Sequence, residues 1–429
     1  MVSITKKIYS IYHFVLAFVA ALWYGFPSRD LIVIGITGTK GKTSTAELLH
    51  EILSESGQKV ASSSSLRFRI GDEIVPNDLK MTMPGRFFMQ RFLYRAKRAG
   101  CRHVVLEVTS QGIMQHRHRF IRFDTAVLTN VTPEHIEAHG GFENYVAAKQ
   151  KLFRAVAADG AIVLNRDDAQ SESFAKAARS RVKIWYGRGG INLPNRAIAL
   201  SGVRDGTAGI SFAARSESEN TSAAVQDVEF HSPLQGTFNF LNILAAASAG
   251  LYYGISPERI AAATKRISGI AGRMEYVQRE PFAVIVDYAH TPDSLRSVYE
   301  TLGRDHGRLI CVFGATGGGR DAWKRPEFAK IAERFCETAL LTDEDPYDED
   351  PASILDDIER GFSEKFKSRV IRMLDRKAAI QDAIRRAQPG DAVIITGKGG
   401  EPWLMGPHGT KIPWDDRQIA REALRRPKI

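Results

Sequence analysis

The run Leu31–Ile36 (LIVIGI), followed at once by Gly38-Thr39-Lys40-Gly41-Lys42-Thr43-Ser44, constrains this chain more than any other stretch. A short apolar, β-branched run ending in a glycine turn reads as a strand buried in a parallel sheet. Beyond the turn, Ala46, Leu48, Leu49, Ile52 and Leu53 recur at helical spacing, and Gly57 stops the helix. Strand, glycine turn and helix in that order are the setting of a phosphate loop. Glycines let backbone N–H groups converge on phosphate, Lys42 can reach the β/γ oxygens, and Thr43 can hold Mg²⁺. Ile36 stands where the strict pattern has its first glycine, so the context rather than the pattern carries the reading. Gly38, Thr39, Lys40, Gly41, Lys42, Thr43 and Ser44 are therefore expected to bind ATP.

The same alternation continues. An amphipathic helix over 87–99 leads to a strand at 103–108, with further strands at 125–128 and 161–164. Residues 191–232 turn Ser-, Ala- and Gly-rich with short alternating runs, which predicts a small antiparallel region. A strong helix follows over 239–253, and a new α/β series runs through strands near 282–286, 309–313, 338–341, 369–373 and 392–396. The expected fold class is α/β. It comprises a central phosphate-loop domain at 29–270, with a mostly parallel sheet and a small β subregion, and a C-terminal Rossmann-like domain at 271–429. The net charge of +10 suits anionic partners, but the cations form no long block, so a nucleic-acid arm is not indicated. Three cysteines without a CxxC pair argue against a disulfide scaffold and for a reducing, cytoplasmic setting.

Residues 1–28 are a separate question. From Ile8 to Phe26 nearly every residue is apolar or aromatic, and Lys6 and Lys7 precede them. A secretory signal, a spanning anchor, and a helix lying at a membrane interface or docked on its own protein all fit such a run. No small-residue cleavage site follows, and a phosphate loop close behind it belongs in the cytosol. Tyr9, Tyr12, Trp23 and Tyr24 near the ends suit an interface.

GTKGKTS after LIVIGIT resembles the ATP loop of the Mur ligase superfamily, the ATP-dependent amide-forming ligases of peptidoglycan precursor synthesis. Further motifs stand in the family's order. EVTSQG at 107–112 resembles EVSSHG, which makes Glu107 a Mg²⁺ ligand, with Thr109 beside the substrate. Gln115 and Arg117 in QHR, and Thr82 in TMP, match positions that hold the sugar-peptide. TNVTPEH at 129–135 implies His135 as a ligand of a second Mg²⁺. YVAAK at 145–149 implies a carbamylated Lys149 on the same ion. Without these neighbours a lone Glu, His or helical Lys is more often structural or solvated. Asn239 and Asn242 share one helix face and match residues that meet adenine; Asn239 could equally cap its helix. Arg273 in GRME is expected near a hinge and phosphate. DYAHTPDSL at 287–295 is a near-verbatim match that brings Asp287 and His290 to ATP.

In the C-terminal part, Arg320, Gly397 and Glu401 match residues that contact the incoming diamino acid, with Gly400 replacing the histidine of GKGHE. The specificity loop departs from the pattern. Where diaminopimelate-adding enzymes carry DNPR, this chain has Asp345-Pro346-Tyr347, so the carboxylate-gripping arginine is lost and an acid is gained. That leaves diaminopimelate and lysine even. Members also carry an N-terminal domain for the uridine diphosphate end, whereas here the apolar segment precedes the ATP strand.

The resemblance implies an acyl-phosphate ligase joining an amino acid to UDP-MurNAc-L-Ala-D-Glu. Lys42, His135 and Lys149 would be catalytic, with ATP and Mg²⁺ as cofactors. The expected form is a monomer that touches a membrane surface through residues 8–26. The alternatives are a folylpolyglutamate- or cyanophycin-like ligase, and a membrane-tethered ATP-binding subunit without ligase activity.

Overall fold

The computed structural model describes residues 2–425 except 80, 135, 207, 218–226 and 320. Two of the sequence-derived candidates, His135 and Arg320, lie outside the described residues. The chain forms two units. Met1–Pro233 with Thr237–Ser268 make the first, and Leu234–Gly236 with Gly269–Ile429 the second.

In the first unit α1 (Val2–Trp23) precedes β1 (Ile32–Thr37), α2 (Lys42–Ser54), β2 (Val60–Ser63), β3 (Arg67–Ile70), β4 (Glu73–Pro76), α3 (Arg86–Arg98) and β5 (His103–Glu107). Then come α4 (Ser110–Met114), β6 (Phe123–Leu128), α5 (Ile136–His139), α6 (Phe142–Ala155), β7 (Val156–Asn165), α7 (Ser171–Ala177) and β8 (Val182–Gly187). The unit closes with β9 (Gly190–Leu193), β10 (Arg196–Gly206), β11 (Gly209–Glu217), β12 (Val228–Ser232), α8 (Thr237–Tyr252) and α9 (Pro257–Arg266).

All twelve strands join one sheet, in the order β12-β11-β10-β9-β8-β7-β6-β1-β5-β2-β3-β4. The stretch from β8 to β2 is parallel. Both ends are antiparallel extensions. The expected small β region thus continues the main sheet rather than standing apart, because β9 pairs with the edge of β8. Strand β1 lies between β5 and β6, so the chain turns to opposite sides from it. The carboxyl ends flanking such a switch point form a ligand crevice. The apolar residues of β1, β5, β6 and β7 are buried against Phe92, Leu93, Leu152 and Phe153 of α3 and α6. On the other face α2 packs on α8, where Gly250 leaves room for Ile52.

Helix α1 packs along α3. Its alanines Ala17, Ala20 and Ala21 are buried. Phe14 meets His116 and Phe120 edge-on, and Tyr24 meets Tyr94 at 5.7 Å between ring centres. Among the described residues no helix is long and apolar enough to cross a membrane.

The second unit contains β13 (Glu275–Gln278), β14 (Ala283–Val286), α10 (Pro292–Asp305), β15 (Leu309–Phe313), α11 (Lys324–Phe335), β16 (Thr338–Leu341) and α12 (Pro351–Glu359). It ends with β17 (Val370–Arg372), α13 (Arg376–Arg386), β18 (Ala392–Ile395), the hairpin β19 (Trp403–Met405) and β20 (Lys411–Pro413), and α14 (Asp416–Leu424). Its sheet runs β13-β14-β18-β15-β16-β17, parallel except for β13. A Thr291/Ser294 capping box starts α10. Cys311 on β15 and Cys336 after α11 form a disulfide with Cα atoms 6.1 Å apart. This bond corrects the reading of the three cysteines, which set them against a disulfide scaffold and for a reducing setting; the spacing could not show it, because the pairing depends on which strands become neighbours.

Candidate active site

The phosphate loop leaves β1 at Thr37 and enters α2 at Lys42, with Gly41 as the helix N-cap. Gly41 has φ 79°, and a side chain there would strike the Asn242 amide. A side chain at Gly38 would strike the Thr129 hydroxyl. Both glycines are therefore required by backbone and by space. Lys42 folds back over the loop, its Nζ donating to Gly38 O (3.1 Å) and Thr39 O (2.8 Å). Asn242 in turn donates to Asn239 Oδ1, and the pair is buried behind the loop.

The end of β6 clamps the loop from the other side. Asn130 Oδ1 accepts from Lys40 N (2.9 Å), and its Nδ2 donates to Lys40 O (3.1 Å). Thr129 Oγ1 also donates to Lys40 O at 2.6 Å. Asn165 and Tyr186 hold the Thr129 carbonyl, and Asp168 accepts from Val131 N. The reading of the sequence passed over Asn130 and Thr129 as site residues. Their signal was present in the TN pair following a strand.

Glu107, at the end of β5, is buried and faces Thr43. The Thr43 hydroxyl lies 3.2 and 3.1 Å from its two oxygens. Ser65 donates to Glu107 through N (2.9 Å) and Oγ (3.2 Å). A carboxylate and a hydroxyl side by side are hard oxygen donors of the kind that, with phosphate oxygens and water, complete a Mg²⁺ shell. The residues present fit the ion.

Lys149 on α6 is fully buried. Its Nζ donates to Gly38 O at 2.6 Å and stands 4.5 Å from the Tyr145 ring centre. Burial, and then the charge of Lys42, push its pKa well below the ordinary lysine value, against the opposing pull of Glu134 and Glu107. A neutral amine is the form that reacts with CO₂, so the position suits the carbamylation that the motif implies. Tyr145 OH pairs with Thr39 Oγ1 at 3.0 Å.

The residues expected at the sugar-peptide lie apart from the phosphate loop but connect to it. Thr82 Oγ1 pairs with Ser65 Oγ (2.8 Å), the same serine that donates to Glu107. Gln115 accepts from the Arg117 guanidinium (2.6 Å), which also reaches Met83 O. Thr109 caps α4 through Gly112 N, an intrahelical duty the sequence did not suggest.

In the second unit Asp287 is buried, with Oδ2 accepting from Met274 N and Oδ1 from Ala289 N, both at 2.7 Å. Burial pushes its pKa up, against Arg273. His290 Nδ1 pairs with Tyr288 O at 2.7 Å, which fixes the ring beside the Asp287 turn. Arg273 lies 4.2 Å over the Tyr288 ring, and Tyr288 OH reaches Glu401 Oε1 at 3.0 Å. Lys398, only 1% exposed at its side chain, bridges Asp345 Oδ1 (2.8 Å) and Glu401 Oε2 (2.7 Å). Met405 N donates to Asp345 as well. The negative charge at Asp345, which the sequence reading set against a cationic side chain, thus shares Lys398 with Glu401. Tyr347 has φ 53° and its N–H donates to Met405 O. Gly397 lies against the buried Glu344 carboxylate.

A glycine loop at a parallel-sheet switch point, a lysine, and a Thr–Glu oxygen pair define a nucleotide-binding α/β enzyme. Residues 36–250 match the Mur ligase middle domain, and residues 272–399 match the Mur ligase glutamate ligase domain. The chain is 37% identical over 415 residues to a UDP-N-acetylmuramoyl-L-alanyl-D-glutamate–2,6-diaminopimelate ligase of Trichormus variabilis. That match covers 95% of this chain and 80% of the relative. A solved structure of a ligase of the same name matches with TM-score 0.61 and 29% identity, over 92% of this chain and 78% of that one. The folylpolyglutamate synthase of Mycobacterium tuberculosis shares the fold, with TM-score 0.70 at 16% identity over 96% and 95% of the two chains. The chain belongs to the Mur ligase family and is an ATP-dependent amide ligase.

Proposed function

We propose that the protein joins a diamino acid to UDP-MurNAc-L-Ala-D-Glu in the cytoplasm, as a monomer, at the expense of ATP. The observation that carries this reading is the Gly38–Ser44 loop with the Thr43–Glu107 oxygen pair and the buried Lys149 amine beside it. The central unit binds ATP and the acid substrate, and the C-terminal unit supplies the amine. Thr43 and Glu107 would hold one Mg²⁺, and a carbamylated Lys149 with His135 a second; when bound, such ions would neutralise charge on the phosphates. Loop N–H groups and Lys42 orient the γ-phosphoryl group, which passes from ATP to the substrate carboxylate to give an acyl phosphate and ADP. The amine then attacks the acyl carbon, and inorganic phosphate leaves as the amide forms. Asn239, Asn242, Arg273, Asp287 and His290 serve the nucleotide. Thr82, Gln115 and Arg117 hold the sugar-peptide, and Gly397, Glu401 and Tyr347 face the amino acid.

Diaminopimelate is the amine favoured, because the relatives at 36–38% identity bear that name. Asp345 is not free charge, because it shares Lys398 with Glu401, while the absent arginine of DNPR keeps lysine as the second reading. The deciding assay supplies ATP, Mg²⁺, UDP-MurNAc-L-Ala-D-Glu and a panel of amino acids, and reads phosphate release. Release that depends on diaminopimelate and vanishes in Lys42→Ala supports the reading. Release with no amine dependence sinks it.

A further inference from the structure

Helix α1 is inside out by the standard of a core helix. Its buried side carries alanines, with Ala17, Ala20 and Ala21 at 2%, 0% and 0% exposure, while its large side chains face outward. Ile8, Ile11, Tyr12, Val15, Leu22 and Trp23 are all exposed, Trp23 at 77%. At 3.6 residues per turn these positions fall along one side of the helix as a continuous apolar stripe. Scattered exposed apolar residues are ordinary, but a contiguous stripe of this size marks a surface that is covered in use.

The surroundings say by what. Neither α1 nor α3, against which it packs, contains an acidic residue, whereas the two hold seven lysines and arginines, of which Arg95 pairs with Glu73 and Lys97 with Asp30. Of the cations around the stripe, Arg29, Arg98 and Arg119 meet no carboxylate among the described residues, while Arg86 and Arg117 are turned onto Gln115. Arg29 lies over the Phe26 ring and Arg98 over Tyr94, which itself touches Tyr24 of the α1 end. Arg86 and Arg117 stand close enough to His13 to oppose its protonation, after burial. An apolar, aromatic-rich stripe bordered by uncompensated arginines matches a bilayer whose headgroups are anionic. The helix is not long and apolar enough to span one.

We propose that α1 docks the protein on an anionic lipid surface, lying in the headgroup plane with its alanine face kept on the protein. The same helix grips the Gln115–Arg117 turn, Ser10 Oγ pairing with His116 Nε2 at 2.8 Å. Docking therefore sets that turn beside the lipid. This surface does not depend on the ligase assignment.

The test uses the full chain and sedimentation with vesicles of equimolar phosphatidylglycerol and phosphatidylcholine, against vesicles of phosphatidylcholine alone. Binding is expected to the first, weakened by salt, and to fall by about tenfold or more in Ile11→Ser/Val15→Ser/Trp23→Ser. Arg98→Glu/Arg119→Glu should lose the anionic preference without touching the stripe. Quenching of Trp23 by brominated acyl chains, absent in Trp23→Phe, gives an independent reading of insertion. Equal binding to both vesicles, unchanged binding by the serine variant, or no binding at all overturns the proposal. So does a concentration-dependent dimer that the serine substitutions dissolve, because the stripe would then be covered by a second copy.

Discussion

Asn130→Ala tests how the phosphate loop is held. The Asn130 side chain makes two hydrogen bonds to one peptide unit of the loop, accepting from Lys40 N at 2.9 Å and donating to Lys40 O at 3.1 Å. Neutral hydrogen bonds of this kind contribute about 1 kcal/mol each, so the pair stabilises the ordered loop by about 2 kcal/mol. If that order is needed to bind triphosphate, its loss is charged to binding and weakens ATP affinity by about 30-fold. The fold should survive, because Asn130 lies in the loop after β6, is only half-buried, and the core beneath is apolar. Titration calorimetry with a non-hydrolysable ATP analogue measures the change. Thr129→Val removes the hydroxyl that donates to the same carbonyl at 2.6 Å. The two substitutions share a target and should couple by about 0.5 kcal/mol or more in a double-mutant cycle. Affinity within twofold of the parent in Asn130→Ala, with the melting temperature also unchanged, would refute the reasoning. The loop would then be ordered by its own backbone or by the nucleotide itself.

Three more outcomes follow from the geometry. Gly41→Ala meets a left-handed backbone at φ 79° and the Asn242 amide, so about 1–2 kcal/mol of backbone strain adds to the overlap. ATP binding should fall beyond detection in calorimetry, while Gly57→Ala, with open space around it, leaves binding intact. Arg376→Met strands the Asp416 carboxylate in a pair whose side chains are 1% and 0% exposed, and should destabilise the C-terminal unit by about 3–5 kcal/mol. Urea unfolding of that unit reads this directly, and adding Asp416→Leu should recover part of the loss. Burial first, then neighbouring cations, hold His50 and His118 down to about 3 in the folded state. The unfolded chain takes up protons near the ordinary value of 6.5 and the folded chain does not. Stability is therefore full above that value and declines as pH falls from it toward 3, by about 2–3 kcal/mol per histidine at pH 4.5. Urea midpoints at pH 7 and 4.5 compare the two, and His50→Gln should reduce the difference.

The repeating α/β elements were legible because their local pattern and their burial agree. The strand expected at 31–36 forms at Ile32–Thr37, and the helix expected at 239–253 forms at Thr237–Tyr252. What one sequence could not supply was which distant residues become neighbours. Cys311 and Cys336 are 25 residues apart and pair only because α11 returns the chain beside β15. Likewise, the acid at Asp345 reads as free charge along the chain and as half of an ion pair once Lys398 lies beside it. The loop residues were visible from their glycines, whereas the braces at Thr129, Asn130 and Asn165 act through hydrogen bonds that no local periodicity records. The N-terminal segment was ambiguous for a similar reason. Its composition is apolar throughout, and only packing separates the alanine side from the outward one.

Strand β1 bonds only to β5 and β6, and the space behind Gly41 is closed by Asn242. A ribosome therefore releases the phosphate-loop residues long before it releases the parts that shape them. A nascent chain ending before residue 130 has the nucleotide signature but neither wall, and one ending before 242 lacks the backstop. Such a chain lacks the contacts that order the loop, so nucleotide affinity is expected to develop only as the first unit nears completion.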